Sequence, residues 1–155
     1  MKRKLIISTG IILSFFVWAC GGSETSQDGN NTSSETAANS TNDDKGIGSI
    51  THVELSTPLD QKLVETGKNI YNLKCSACHR LTKDKLVGPG WLGVTSRRKP
   101  EWIMNFATNA EEMLNKDATA MALLEECLVR MPNQNVSESD ARGIVEFMRN
   151  NDGEK

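Results

Sequence analysis

One pentapeptide constrains this chain more than anything else in it: Cys75-Ser76-Ala77-Cys78-His79. Two thiols three positions apart, with an imidazole directly after them, suit three chemistries: a redox dithiol, half of a zinc site, or covalent attachment of c-type haem. A zinc site needs a second pair of ligands, and beyond the leader only Cys127 and His52 remain, unpaired and distant in sequence. A thioredoxin-like dithiol needs a βαβ pattern around it, and none is visible. Haem meets the spacing directly. The two thiols reach the two vinyl groups of one porphyrin, and His79 is placed beneath the iron as proximal ligand. A porphyrin also answers a shortage of core material. Outside the leader the chain has only five aromatic residues, Tyr71, Trp91, Trp102, Phe106 and Phe147, which is few for a self-sufficient core.

The first twenty residues read as an address. Lys2, Arg3 and Lys4 form a basic start, and Leu5 to Val17 is an apolar run of 13 residues, too short for a comfortable membrane span. Val17-Trp18-Ala19-Cys20 resembles a bacterial lipobox, although Trp18 is an unusual residue at its position. The resemblance implies cleavage before Cys20 and acylation of that residue, hence lipid anchoring on the extracytoplasmic side of a bacterial membrane, periplasmic or at the cell surface. A plain signal peptide and an uncleaved anchor are the alternatives. Two or more acyl chains hold a protein on a membrane stably where one does not. No second long apolar segment exists, which excludes a multi-span protein. The net charge of −2 excludes a nucleic-acid binder that relies on bulk positive charge.

Residues Gly21 to Ile50 hold six Ser, four Thr, four Asn and five Gly, with Ile47 and Ile50 as the only large apolar side chains. Such a stretch buries too little apolar surface to offset the entropy of ordering it. The organisation expected is a leader over 1–19, an acylated Cys20 with a flexible linker over 20–56, and a folded domain over 57–155. As a polar coil the linker spans roughly 30–35 Å. His52, near its end, reads as a lone exposed histidine.

The stretch from Pro58 to Asn151 resembles a class I c-type cytochrome. Its motif lies behind a helix whose start is expected at Thr57-Pro58, with Leu59, Leu63, Gly67 and Ile70/Tyr71 at helical spacing. The resemblance implies an all-α fold of about four helices wrapped round one covalent haem c. In that family a glycine followed four residues later by an aromatic marks where the first helix crosses the last, and Gly67 and Tyr71 match. Ile144 and Phe147 are suited to pack on them. The resemblance further implies that the Pro89 carbonyl accepts a hydrogen bond from His79, that Arg97 lies near a haem propionate, and that Met131, followed by Pro132, is the sixth iron ligand. Met113 and Met121 are rival methionines on helical segments. Further helices are expected from Pro100, from an Asp117 cap through Val129 with Met121, Leu124 and Leu128 on one side, and behind Ser137. Cys127 reads as a small buried hydrophobe.

An iron held by His79 and Met131 has no open position for substrate, and methionine raises the reduction potential. Both features favour outer-sphere electron transfer over catalysis, so the expected function is an electron carrier and not an enzyme. A peroxidase-like haem enzyme or a haem sensor would need a labile sixth ligand. The charges segregate: Lys68 to Lys99 carries eight basic side chains against Asp84 alone, whereas Pro100 to Lys155 carries five basic against eleven acidic. The expected partners are therefore redox proteins with acidic docking surfaces, met by a monomeric chain. Leu123 to Asn135 bears a faint likeness to small cytochromes c that accompany nitrous oxide reductase, and terminal oxidases are equally admissible acceptors.

Overall fold

The computed structural model describes residues 44–155, and every regular element among them is helical. Helix α1 spans Gln61–Ile70 and runs into a single π-helical turn, Tyr71–Cys75. It is followed by α2 (Val94–Arg97), α3 (Pro100–Thr108), α4 (Ala110–Lys116), α5 (Ala118–Cys127) and α6 (Glu138–Asn151). The all-α expectation holds, with the short α2 and α4 added to the four main helices. The leader, Cys20 and the expected linker up to residue 43 lie outside the described residues.

Helix α1 starts later than the Thr57-Pro58 expected from sequence. Asp60 is the cap, and its Oδ1 accepts from the Lys62 and Leu63 amides at 2.9 and 3.2 Å. A carboxylate that satisfies two orphan amides is a stronger start signal than threonine followed by proline. At the other end the Ser76 amide donates to the Tyr71 carbonyl at 2.9 Å, one residue wider than an α-helical bond. This π turn carries the chain into Cys75.

Two glycines let α1 and α6 touch backbone to backbone. A Cβ on Gly67 would lie 2.0 Å from the Gly143 carbonyl oxygen and 2.7 Å from the Phe147 Cβ. Beside the crossing, the Tyr71 ring lies 5.6 Å from Phe147 and 5.0 Å from Trp91, in tilted aromatic contacts. Gly67 and Tyr71 thus occupy the crossing expected for them. Gly143 is the unforeseen partner, while Ile144 and Phe147 are buried in the core.

Helix α3 begins with Pro100 as its first residue, and Ser137 caps α6 by accepting from the Asp140 amide at 3.1 Å. Asp117 caps α5 as expected, accepting from the Ala120 amide at 2.8 Å. However, α5 ends at Cys127, not Val129, because Leu128 turns into the left-handed region with φ of 60°. The apolar face expected of α5 is correspondingly broken: Leu124 packs on the core, whereas Met121 and Leu128 are exposed.

Part of the expected linker is a built strap. Ile50 is buried, and Ile47 and Val53 pack against the same core. The Asn105 side chain, itself buried, accepts from the Ile50 amide at 3.1 Å and donates to the Ile50 and Lys45 carbonyls at 2.9 and 3.0 Å. Glu101 accepts from the Val53 amide at 3.1 Å. Farther along, Arg142 and Arg149 donate to the Glu54 and Ser56 carbonyls, and Glu146 accepts from the Asp60 amide. Glu146 is fully buried and pairs with both arginines. Gly46 and Gly48 lie so close to Met113 and Asn105 that a Cβ on either would collide with them. The boundary expected at Ser56 therefore falls within a segment that the helices hold by dedicated polar side chains. His52 is exposed, as read from the sequence, and lies 3.9 Å from Glu54.

Gly67→Ala should force α1 from α6 and destabilise the domain by about 3 kcal/mol or more. Gly153→Ala, where φ is 93° and nothing lies within 4 Å of the new Cβ, should cost only the backbone strain, about 1 kcal/mol. Thermal unfolding of the two variants checks the ordering. Asn105→Ala should cost about 2–4 kcal/mol by orphaning strap amide and carbonyl groups. It should also expose residues 44–56 to limited proteolysis.

Candidate functional site

The Cys75–His79 segment folds back on itself as a tight turn. The Cys75 carbonyl accepts from the Cys78 and His79 amides at 3.0 and 2.9 Å. The Cys78 carbonyl in turn accepts from the Val87 and Gly88 amides at 3.2 and 2.9 Å, which brings the Gly88-Pro89-Gly90 loop against the motif. A Cβ on Gly88 would lie 2.4 Å from His79 Cε1, so only glycine lets this loop lie against the imidazole.

That contact aims the ring. His79 Nδ1 lies 2.9 Å from the Pro89 carbonyl oxygen. A carbonyl only accepts, so Nδ1 carries the proton and Nε2 keeps its lone pair free. Burial holds the His79 pKa below its ordinary value, a shift partly countered by the bond to Pro89. The Trp91 ring lies 5.6 Å from the imidazole, and the Tyr71 hydroxyl donates to the His79 carbonyl at 2.8 Å. The ring is thus a neutral donor with one nitrogen fixed and the other presented.

Cys75, Cys78 and His79 line a cavity whose empty volume, with its open mouth, is about 1370 Å³. Its wall is mainly apolar: Trp91, Val94, Trp102, Ile103, Phe106, Leu114, Leu123, Leu124, Ile144 and Met148. Pro89, Arg97 and Met131 line the same cavity, so it brings together every site residue expected in the folded domain. Arg97 also donates to the Leu92 carbonyl at 2.9 Å, and its neighbour Arg98 stacks over the Trp102 ring at 5.2 Å from the centroid. Of the rival methionines, Met113 is fully buried and receives the Ile47 amide at its sulfur, while Met121 is exposed. Neither lines the cavity. Met148 does, but as a buried part of the α6 wall.

Cys127 lies on the cavity wall, half-buried, where the sequence suggested only a core filler. Arg98 and Met148 are further wall residues missed from sequence. The first is signalled only by its place beside Arg97, the second only by its helical register.

The residues present fit a covalently held haem. The thiols of Cys75 and Cys78 are unpaired and face an apolar slot, as addition across two vinyl groups requires. Burial, reinforced by Cys78 and opposed by Lys74, pushes the Cys75 thiol up to about 11. Among the described residues no cluster of three or more His, Cys, Asp or Glu side chains could hold a bare metal ion.

Comparison with known proteins points the same way. The family model described as Cytochrome c matches residues 64–152. A search among curated proteins returned no match. Among solved structures, cytochrome c from Rhodothermus marinus is similar at 33% identity, with a TM-score of 0.65, over 68% of this chain and 90% of that one. An engineered form of the Rhodothermus marinus cytochrome c, bound to a carbene intermediate, is similar at 33% identity with a TM-score of 0.62 over the same shares. A slot lined by the two thiols and one aimed imidazole, within helices of this arrangement, thus has its counterpart in proteins of known kind: the chain belongs to the cytochrome c family, as a monohaem class I c-type cytochrome that carries haem c covalently.

Proposed function

We propose that this haem-binding electron carrier passes single electrons between extracytoplasmic redox proteins, with His79 and Met131 as the side chains that would ligate its iron. The observation that carries the reading is the convergence of Cys75, Cys78, His79 and Met131 on one apolar cavity. Bound haem c supplies a one-electron ferric/ferrous couple. Cys75 and Cys78 hold it by thioether bonds. His79 presents Nε2, kept in place by its Nδ1–H bond to Pro89. Such a bond fixes ring orientation and raises ligand basicity. Met131 is the cavity methionine carried on a loop, between α5 and α6, while Met148 is buried in a helix. Methionine ligation raises the potential and closes the position a substrate would need. The apolar wall excludes water, which reduces the solvent rearrangement that accompanies each electron. Arg97 and Arg98 bring positive charge to the cavity, suited to haem propionates.

The partners this reading calls for are acidic. Lys74, Arg97, Arg98 and Arg130 all line the cavity, so positive charge borders the place where electrons enter and leave. Such a surface steers acidic partners and makes association sensitive to salt. A nitrous oxide reductase or a terminal oxidase is an acceptor of the right kind. Anchoring through acylated Cys20 would confine the search for that partner to a membrane surface. No described helix is long and apolar enough to cross a membrane.

Met131→Ala should lower the reduction potential substantially, let ferrous haem bind carbon monoxide readily, and make peroxidase activity appear. Met121→Ala should do none of these, since Met121 is exposed and away from the cavity. Potentiometry and carbon monoxide titration check the pair, and wild-type protein that already binds carbon monoxide rapidly would favour an enzyme or sensor instead. Cys20→Ser should leave the haem spectrum intact while abolishing detergent-dependent membrane fractionation. Wild-type protein that is soluble without detergent rules the anchor out.

A further inference from the structure

The chain between α5 and α6, which carries Met131, has no regular structure from Leu128 to Ser137. Leu128 and Asn135, near its two ends, both take positive φ, at 60° and 49°. A stretch of this kind has no backbone ladder to hold it, so its position depends on bonds to its surroundings. Two bonds from the attachment half of the domain meet the chain at the two ends of this stretch, one on the last turn of α5 and one on the stretch itself. Lys85 Nζ donates to the Glu126 carbonyl at 2.8 Å, and Lys74 Nζ donates to the Gln134 carbonyl at 2.8 Å. Lys74 directly precedes Cys75, and Lys85 lies in the loop that leads to Gly88. The two acceptors bracket the segment Cys127–Asn133, with Met131 between them.

We infer that Lys74 and Lys85 form a two-point latch that ties the Met131 segment to the haem-attachment half of the domain and so positions Met131 over the cavity. The inference rests on Met131 being the sixth ligand. Both bonds are charge-assisted and end on backbone carbonyls, so they fix the path of the main chain whatever side chains the segment carries. A third tie, from Arg130 to the Asn115 side chain at 2.8 Å, holds the segment to α4 and not to the attachment half. It therefore does not replace the latch. In this role the two lysines are positioning residues: they act on the iron only through Met131. Without them the segment swings away more often, and the iron is more often open on its methionine side.

The test uses the full-length holoprotein and three readouts: the weak long-wavelength sulfur-to-iron band of the ferric form, carbon monoxide binding to the ferrous form, and the reduction potential. Lys74→Met and Lys85→Met keep the apolar stem and remove the ammonium. Each should speed carbon monoxide binding about two- to fivefold, the equivalent of one solvent-exposed bond. The double variant should speed it further and weaken the sulfur-to-iron band. Lys74→Arg and Lys85→Arg, which retain a donor, should restore wild-type behaviour. A merely structural role would lower thermal stability without moving these three readouts. If the double Met variant binds carbon monoxide at the wild-type rate with its band intact, while Met131→Ala loses the band, the latch is wrong and the ligand assignment stands. If Met131→Ala keeps the band, both are overturned.

Discussion

The contact between Gly67 and Gly143 sets the geometry on which the rest of the structure depends. With neither helix carrying a side chain at the crossing, α1 and α6 approach closely enough for the missing Cβ of Gly67 to be replaced by the Gly143 carbonyl. Everything functional is measured from that point. One turn beyond Gly67, Tyr71 packs on Phe147 and Trp91 and reaches the His79 carbonyl. The π turn that follows converts the helix axis into the placement of Cys75. From α6, Ile144 and Met148 face the same cavity. A single close approach therefore fixes both an attachment thiol and part of the wall it faces.

Electron carriage asks little motion of a protein, and the site is built accordingly. The imidazole is held on one edge by Pro89, packed on another by Trp91, and overlain by a glycine where no larger residue fits. The cofactor slot is lined by residues of α2 to α6, of the loop after the motif and of the chain between α5 and α6. Rigidity of this kind suits a fast one-electron couple, which requires a metal environment that changes little between oxidation states. The carbene-bound relative among the engineered Rhodothermus marinus proteins is a different use of a similar frame.

Much of this was legible from residue spacing, because the chemistry is local in sequence. The attachment motif occupies five consecutive residues, Asp117 and Ser137 announce helix starts within one turn, and Gly67 with Tyr71 lies on one helical face. What escaped was decided by distant partners. Gly143 matters only because Gly67 lies opposite it. Leu128 looks like a helical residue until the chain turns left-handed there. The strap looks like linker by composition, since its order comes from Asn105, Glu101, Glu146 and Arg149, residues some 48 to 93 positions away. Two isoleucines amid glycine and serine, Ile47 and Ile50, were the one local hint. The cavity joined Pro89, Arg97 and Met131 to the motif, but joined Cys127 and Met148 too; helical register alone points to Met148, and nothing local marks Cys127 as a wall residue.

The strap also changes what counts as one folding unit. The family resemblance begins at residue 64, yet the helices beyond it devote buried amide, carboxylate and guanidinium groups to chain that comes earlier. A fragment cut at the family boundary would strip those groups of their strap partners and open the core beneath Ile47 and Ile50 to water. Such a piece would be harmed by the loss of seemingly dispensable residues more than by many core substitutions. A graft or a shortened form that is to keep these bonds has to keep the chain from Lys45 onward.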